Sequence, residues 1–286
     1  MKITFGEKVF YRINEIFLFV LGLSMLLPFI HVLAKSFSGD AYVIAGRVGL
    51  WPRDFNINAY KFSIENTPIV KAFMNTLFVT CLGTVLALIV SSATAYPLSL
   101  TNTWGRKPIM YFFVFTMIFD GGMIPSFLLM RSLGLLNSLW SIILPHILNV
   151  FNMILIKNYF EGLPESVREA AMVDGANNAT VFLKIILPMS KPILATMTVF
   201  TAVDFWNSYF NAMLYLSDPQ KVTLQLFLVN IVKQAGLTDS INSEIIVPPD
   251  TVRAATVMIS TVPILLVYPF LQKYFVSGIT LGSVKG

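Results

Sequence analysis

Long apolar runs dominate this sequence, and very few charged residues interrupt them. Six of these runs approach or exceed the roughly 20 residues that a helix needs to cross a bilayer. They cover residues 16–34, 72–100, 108–130, 132–156, 192–217 and 254–272. Only two charged residues fall inside them, Asp120 in the third run and Asp204 in the fifth.

The length of the runs favours helices over the strands of a membrane barrel, which alternate in polarity over about ten residues. Composition agrees, because 12% of the residues are charged, against about 25% in soluble domains. The sequence therefore predicts an all-α polytopic membrane protein, with six transmembrane helices in a single domain over residues 1–286. The first run exceeds the apolar core of a signal peptide, so we expect a retained helix.

Several kinds of chemistry find no support in the sequence. The single cysteine, Cys81, excludes a disulfide within the chain, and we expect it to be a small buried hydrophobe. We expect His31 and His146 to make polar contacts rather than to bind a metal. No G-x-x-x-x-G-K-[ST] loop is present. The chain is thus expected to bind no cofactor, and the net charge of +5 is too scattered to indicate nucleic-acid binding.

The distribution of basic residues predicts the orientation. Short segments on one side of the expected bundle carry Lys2, Lys8, Arg12, Arg106, Lys107, Lys157, Arg168, Lys184 and Lys191. By the positive-inside rule this side, with both termini, is cytoplasmic. The opposite side carries basic residues too, in the segment 36–71. That segment and 218–253 are predicted to be long extracytoplasmic loops, suited to docking a soluble partner.

The segment 161–191, between the fourth and fifth runs, predicts two short amphipathic helices. Pro164 and Glu165 suit the start of the first helix, and Gly175 suits its end. A second helix is expected over residues 178–186, ended by Leu187 and Pro188. Such a pair could fit a groove on a partner protein.

This segment resembles the cytoplasmic EAA loop of ABC importer permeases. The family pattern is Glu-Ala-Ala, three residues, Gly, nine residues, Ile, one residue, Leu-Pro. It is matched without a gap by Glu169, Ala170, Ala171, Gly175, Ile185, Leu187 and Pro188. Each residue type has a background frequency of roughly 5–10%, so chance agreement is remote. The resemblance implies that these residues, with Asp174, couple the chain to an ATPase.

Most of the chain is similar to carbohydrate-uptake permeases of the maltose-system G type, in the oligosaccharide subgroup. Residues 119–126, 206–211 and 278–286 carry this similarity. It implies the type I importer architecture and a bacterial cell-membrane location. It also implies a heterodimer with a second permease, two ATPase subunits that bind ATP and Mg²⁺, an extracytoplasmic binding protein and a sugar substrate. The tail expected at the ATPase interface consists of Gly282, Ser283, Val284, Lys285 and Gly286.

Polar residues in the third and fifth runs are candidates for a substrate path: Asp120, Asp204, Trp206, Asn207, Tyr209 and Asn211. Intramembrane acids usually face a cavity or a partner, and aromatic rings beside amides suit sugars. Helix–helix hydrogen bonds, a protonated acid or an interfacial aromatic belt are alternative interpretations. Gly121, Gly122 and Pro125 predict a helix break beside Asp120.

Three other functions remain open at this point. An ABC permease for a non-sugar solute would share the EAA loop. A secondary transporter or channel would explain six helices and two acids but not the loop, and co-purification with an ATPase would distinguish it. A membrane enzyme is not supported, because no nucleophile–base set or metal cluster is evident in the sequence.

Overall fold

The computed structural model describes residues 4–236, 250–263 and 265–266. The described part is helical, with no strand. The helices are α1 (Phe5–Ser36), α2 (Asp40–Ile44), α3 (Asn58–Asn66), α4 (Ile69–Ser99), α5 (Arg106–Ile118), α6 (Met123–Ser132), α7 (Trp140–Ile143), α8 (Val150–Glu161), α9 (Glu165–Val173), α10 (Asn178–Val181), α11 (Leu187–Met189), α12 (Lys191–Trp206), α13 (Phe210–Tyr215), α14 (Leu224–Gly236) and α15 (residues 250–263). A 3₁₀ turn, Leu144–His146, follows α7, and a π-helix, Phe182–Ile186, joins α10 to α11.

Two helices, α1 and α4, are each long and apolar enough to cross a membrane alone. Three bent pairs qualify when each pair is taken as one span. They are α5 with α6, bent by 112°, α7 and its 3₁₀ turn with α8, bent by 46°, and the 178–189 helix with α12, bent by 79°. The described residues thus hold up to five candidate spans. The sixth predicted run begins within α15, and residues 267–272 of it lie outside the described part.

The sequence placed the break beside Asp120 correctly, but it missed other interruptions. The fourth run was expected to be helical from residue 132, whereas the structure has irregular backbone over residues 133–139. Gly134 and Asn137 adopt φ of 68° and 59° there, values that an α-helix does not accommodate. The fifth run, predicted to be one helix over 192–217, is interrupted at residues 207–209.

The two segments predicted to be long loops contain helices as well. Residues 36–71 include α2 and α3, and residues 218–253 include α14 and the start of α15. Leu224 and Ile231, which lie on α14, are buried. These helices are short and lie among turn and polar residues, and loops were predicted there from those residues.

The contacts divide the chain into two compact units. The first unit consists of residues Met1–Val70 and Leu228–Ile264. Within it the ring of Phe37 lies 5.3 Å from that of Phe55 and 4.9 Å from that of Tyr60. Thr251 on α15 donates a hydrogen bond to Asp40 at the start of α2. His31 contacts the carbonyl oxygen of Gly49 at 2.8 Å, which confirms the polar contact predicted for it.

The second unit comprises residues Lys71–Phe227 and Leu265–Gly286. One apolar cluster joins the end of α4 to α8, α10 and α12, and includes Tyr96, Met153, Val181 and Met197. We call it the inner cluster. Another joins the middle of α4 to α7, α12 and α13. Cys81, expected to be buried, is exposed on α4, because an apolar side chain of a membrane helix can face lipid as readily as a core.

The close approach of α4 to α12 at Gly83 gives a test of this packing. A Cβ atom at Gly83 would lie 2.8 Å from two ring carbons of Phe205, whose side chain is buried. We expect Gly83→Ala to destabilise the protein by about 1–3 kcal/mol through overpacking. Thermal unfolding in detergent measures this. Gly22→Ala on α1, where a Cβ would meet nothing within 4 Å, is the matched control. Equal melting temperatures for the two variants would contradict the assigned contact.

Candidate functional site

Three helix interruptions meet at one cavity in the second unit. They lie at residues 119–122, between α5 and α6, at 147–149, before α8, and at 207–209, between α12 and α13. All three contribute residues to the wall of a cavity of about 890 Å³, which we call the break cavity. In a membrane, backbone groups released by a break need water or protein partners, so such breaks are tolerated where they line a cavity.

At the first break, local hydrogen bonds replace those of the helix. The Asp120 carboxylate accepts from the backbone N–H of Gly122 at 2.9 Å, and the Ser126 hydroxyl donates to the Gly122 carbonyl at 2.8 Å. Gly122 has φ of 88° and provides a conformation that favours glycine. Asp120 is exposed and lines the break cavity. The prediction of a broken third span with its acid at the break is thus confirmed.

The second break ends in a capped helix. The Asn149 side chain accepts from the backbone N–H of Asn152 at 3.1 Å and so caps α8. His146, just before the break, lies 3.2 Å from the amide nitrogen of Asn211 on α13. Asn152 in turn donates to the hydroxyl of Thr201 on α12 at 3.4 Å. Polar contacts therefore connect α8 with α12, and the 3₁₀ turn with α13, around the cavity, and the predicted polar role of His146 is confirmed.

The structure brings five of the six predicted path residues to the same cavity: Asp120, Asp204, Asn207, Tyr209 and Asn211. Trp206 is not among the lining residues. Its ring is buried and lies 5.9 Å from that of Phe73 on α4, in an edge-to-face arrangement. Four further polar residues line the cavity although they were not predicted to belong to a substrate path: His146, Asn149, Asn152 and Thr201. Pro145, followed by the N-cap residue Asn149 within an apolar run, was a usable signal for the second break.

Outside the cavity, α9 and its cap form the first half of the EAA-like loop. Pro164 precedes α9, and Gly175, with φ of 85°, follows it. The N–H of Gly175 bonds to the Met172 carbonyl at 3.1 Å, and the N–H of Ala176 bonds to the Ala171 carbonyl at 2.9 Å. These two bonds form a left-handed glycine cap. The helix start and the glycine stop that the sequence predicted are both present.

One side of α9 is uncovered. Its exposed residues include Glu165, Ser166 and Val167 near the start, and a second group toward the end that we call the α9 face: Glu169, Ala170, Met172, Val173, Asp174 and Gly175. Val173 leaves 87% of its surface accessible, although it is apolar. On the opposite side Leu163, Ala171 and Ala176 pack against the inner cluster. The α9 segment is therefore anchored on its inner side and free on its outer side.

The second half of the loop is longer than predicted. Residues 178–189 are helical throughout, and the helix ends at Ser190 rather than at Leu187–Pro188. The π-helix, Phe182–Ile186, explains the difference. Pro188 has no N–H to donate to the preceding turn, and a wide π turn accommodates that missing bond. Within this half Val181 and Ile186 are buried in the inner cluster, Ile185 and Leu187 are partly buried, and Pro188 is exposed.

An ion-pair network lies behind the start of α9. Glu161 at the end of α8 pairs with Lys157 at 2.8 Å and with Arg106 at the start of α5. Arg168 pairs with Glu165 within α9 at 2.5 Å. The side chains of the Glu161 pairs are partly buried, so solvent screens them less than fully exposed pairs. These pairs join α5 to α8, whereas the Arg168–Glu165 pair stays within α9.

Comparison with known proteins identifies the family. The sequence profile of the family described as "Binding-protein-dependent transport system inner membrane component" matches residues 81–281, which include the loop and every residue of the break cavity. The chain belongs to this family. It is a non-catalytic permease subunit of an ABC transporter, in which a separate subunit carries the ATPase. The predicted resemblance is thereby confirmed.

Similar proteins cover nearly the whole permease. It is 43% identical over 274 residues to the polygalacturonan/rhamnogalacturonan transport system permease protein YtcP of Bacillus subtilis (strain 168), covering 94% of this chain and 96% of the relative. It is 39% identical over 289 residues to the protein LplC of the same organism, covering 100% of this chain and 98% of the relative.

One solved structure has the same fold. It is the crystal structure of a bacterial ABC transporter involved in the import of the acidic polysaccharide alginate. The match has a TM-score of 0.86 at 36% identity and covers 95% of this permease and 98% of that chain. The predicted all-α type I importer architecture is confirmed.

Thiol labelling tests whether the break cavity holds water. In a Cys81→Ser background, which removes the single cysteine, we expect Asn207→Cys to react with a charged methanethiosulfonate reagent, because such reagents modify thiols in contact with water. Ala212→Cys, five residues further along and with 0% of its surface exposed, is the matched control. Labelling followed by mass spectrometry measures the rates. An Asn207→Cys variant as inert as the control would contradict an aqueous cavity.

Proposed function

We propose that this permease imports oligosaccharides, delivered by an extracytoplasmic binding protein, through the break cavity. The observation that supports this most is the convergence of three helix breaks on one polar cavity, with carboxylates, amides and aromatic rings in its wall. These groups suit sugars, because carboxylate and amide groups bond hydroxyls and aromatic faces pack against sugar rings. The names of the relatives, one of which transports polygalacturonan and rhamnogalacturonan, support a sugar cargo.

The α9 face is the proposed docking surface for the ATPase subunit. The residues proposed to couple the two proteins are Glu169, Ala170, Ala171, Asp174, Gly175, Ile185, Leu187 and Pro188. They lie on the exposed side of the loop or at its attachment to the inner cluster, except for Ile185, which is partly buried on the second loop helix. The small side chains of Ala170 and Gly175 allow a partner's backbone to approach closely. The tail, Gly282 to Gly286, is proposed to reach the same partner and lies outside the described residues.

The inner cluster connects this docking surface mechanically to the cavity, through the helices that are packed in it. Ala171 and Ala176 of the loop pack against the inner cluster, whose buried members include Met153 of α8 and Met197 of α12. The same two helices carry Asn152 and Asp204 at the cavity wall. Because packed cores move as rigid bodies, displacement of α9 on closure of the ATPase displaces the cavity wall with it. ATP binding biases this equilibrium only through contacts that differ between the two states.

The permease is proposed to assemble with a second, different permease and two ATPase subunits. Both of its termini are proposed to lie in the cytoplasm. The apolar window of α1 has 0% of its residues buried, and that of α4 has 33%. Surfaces of this kind need lipid or another membrane subunit to cover them. A permease for a non-sugar solute is the alternative function, and it would use the same loop. A secondary transporter would leave the α9 face without a role.

Substitution of Gly175 tests the coupling surface. Valine is strained at φ of 85°, since a β-branched residue rarely adopts positive φ. We expect Gly175→Val to reduce stimulation of ATPase activity by the sugar-loaded binding protein by about tenfold, within the usual range of coupling energies. The measurement uses the complete complex in nanodiscs.

Gly134→Val is the matched control for this test. Gly134 also has positive φ, 68°, a Cβ added there would meet nothing within 4 Å, and it lies far along the chain from the loop. We expect this variant to keep its coupling. Full stimulation in Gly175→Val, or equal loss in both variants, would remove the support for α9 as the coupling element.

The cargo itself is tested by transport. The permease, purified with its partners and reconstituted in proteoliposomes, is expected to import a labelled oligosaccharide only when ATP and the binding protein are both present. Amino acids and short peptides at equal concentration serve as the comparison. Import of these solutes in place of any oligosaccharide would establish the alternative function.

A further inference from the structure

The break cavity has an unbalanced charge on the side that this chain contributes. Its described lining residues include two carboxylates, Asp120 and Asp204, and no lysine or arginine. Both acids are exposed rather than buried in a pair. The ion pairs found in the described residues join other side chains, so neither acid is neutralised by one of them.

Other groups in the wall do not offset these charges. The ends of α5 and α12 bring carbonyl groups to the cavity, whereas the starts of α8 and α13 bring N–H groups, so the partial charges of the helix ends oppose one another. The nitrogen base among the described lining side chains is His146, whose Nε2 lies 3.2 Å from the side-chain nitrogen of Asn211. Even a protonated imidazole there would leave one of the two carboxylates uncompensated.

Two carboxylates in this setting recognise hydroxyl groups well and anions badly. A sugar hydroxyl donates to a carboxylate in a charge-assisted hydrogen bond, which is stronger than a neutral one. A sugar carboxylate in the same place meets like charge between protein walls of low dielectric constant, where repulsion is stronger than in bulk water. Amides at Asn207 and Asn211, together with the rings of Tyr209 and Phe210, complete a wall suited to uncharged sugars.

We infer that the oligosaccharide carried by this permease is a neutral one, and that Asp120 and Asp204 discriminate against uronates. The inference rests on the proposed function, since it assigns a charge class to the cargo of the same cavity. The solved transporter of the same fold imports an acidic polysaccharide, so resemblance alone would suggest the opposite cargo. The cavity charges of this chain are the reason for the different assignment.

The experiment compares matched sugars in the reconstituted complex. Uronate tetrasaccharides and their carboxyl-reduced, neutral counterparts differ only in charge, and a panel of such pairs is offered at saturating binding protein. We expect uptake of the neutral member to exceed that of the uronate by about tenfold, the effect of one like charge at roughly 10 Å in a partly aqueous site. In the double variant Asp120→Asn, Asp204→Asn the ratio should fall several-fold.

Controls separate the cavity from the other components. The wild type and the variant receive sugar from the same binding protein, so a change in the ratio reports the permease. Glu65→Gln on α3 removes an acid that does not line the cavity and should leave the ratio unchanged.

Each outcome has a defined meaning. Uptake of uronates equal to that of their neutral counterparts, or a ratio unchanged by the two Asp→Asn substitutions, would overturn the inference while leaving oligosaccharide import intact. Uptake of no sugar of either class would instead refute the proposed function.

Discussion

Backbone hydrogen bonding in a bilayer is the constraint on which the architecture of this permease depends. A continuous helix satisfies its own N–H and C=O groups, whereas an interrupted one releases several of them into a medium without water. The three interruptions here share one solution, because they face one another across a single cavity. Side chains beside each break complete the bonding: Asp120 at the first, Asn149 at the second. The cavity and its polar wall thus have the same physical origin.

The packing of the second unit connects the proposed docking surface with the proposed substrate cavity. The α9 face and the break cavity are separate surfaces, yet residues of both belong to helices packed in the inner cluster. The ion pairs of Glu161 add a polar attachment between α5 and α8 on the loop side. Such a close-packed core has low compressibility and transmits displacement. A loop attached by flexible linkers alone would dissipate the same motion.

The sequence predicted the strongest features of this fold and missed the subtler ones. The membrane runs were predicted from their length, and the EAA-like loop from the spacing of its residues. The break was predicted from the residue types Gly121 and Gly122. The interruptions at residues 133–139, 147–149 and 207–209 were not recovered, because a continuous apolar run shows no helical period at which a break would stand out. The extension of the loop helix through Pro188 depends on a π turn, which no local pattern indicated. The inward packing of Trp206 likewise depends on the tertiary contact with Phe73.

The exposed apolar surface of α1 has a consequence for biogenesis. Its apolar window has 0% of its residues buried, and its N-terminus carries its own cap, in which Thr4 and Glu7 bond to each other's backbone N–H. The apolar window of such a helix satisfies its own backbone groups in lipid, because its N–H and C=O groups bond within the helix. It can therefore insert early and fix the orientation of the nascent chain. The broken helices are unstable in lipid singly and are stabilised when they pack against their neighbours.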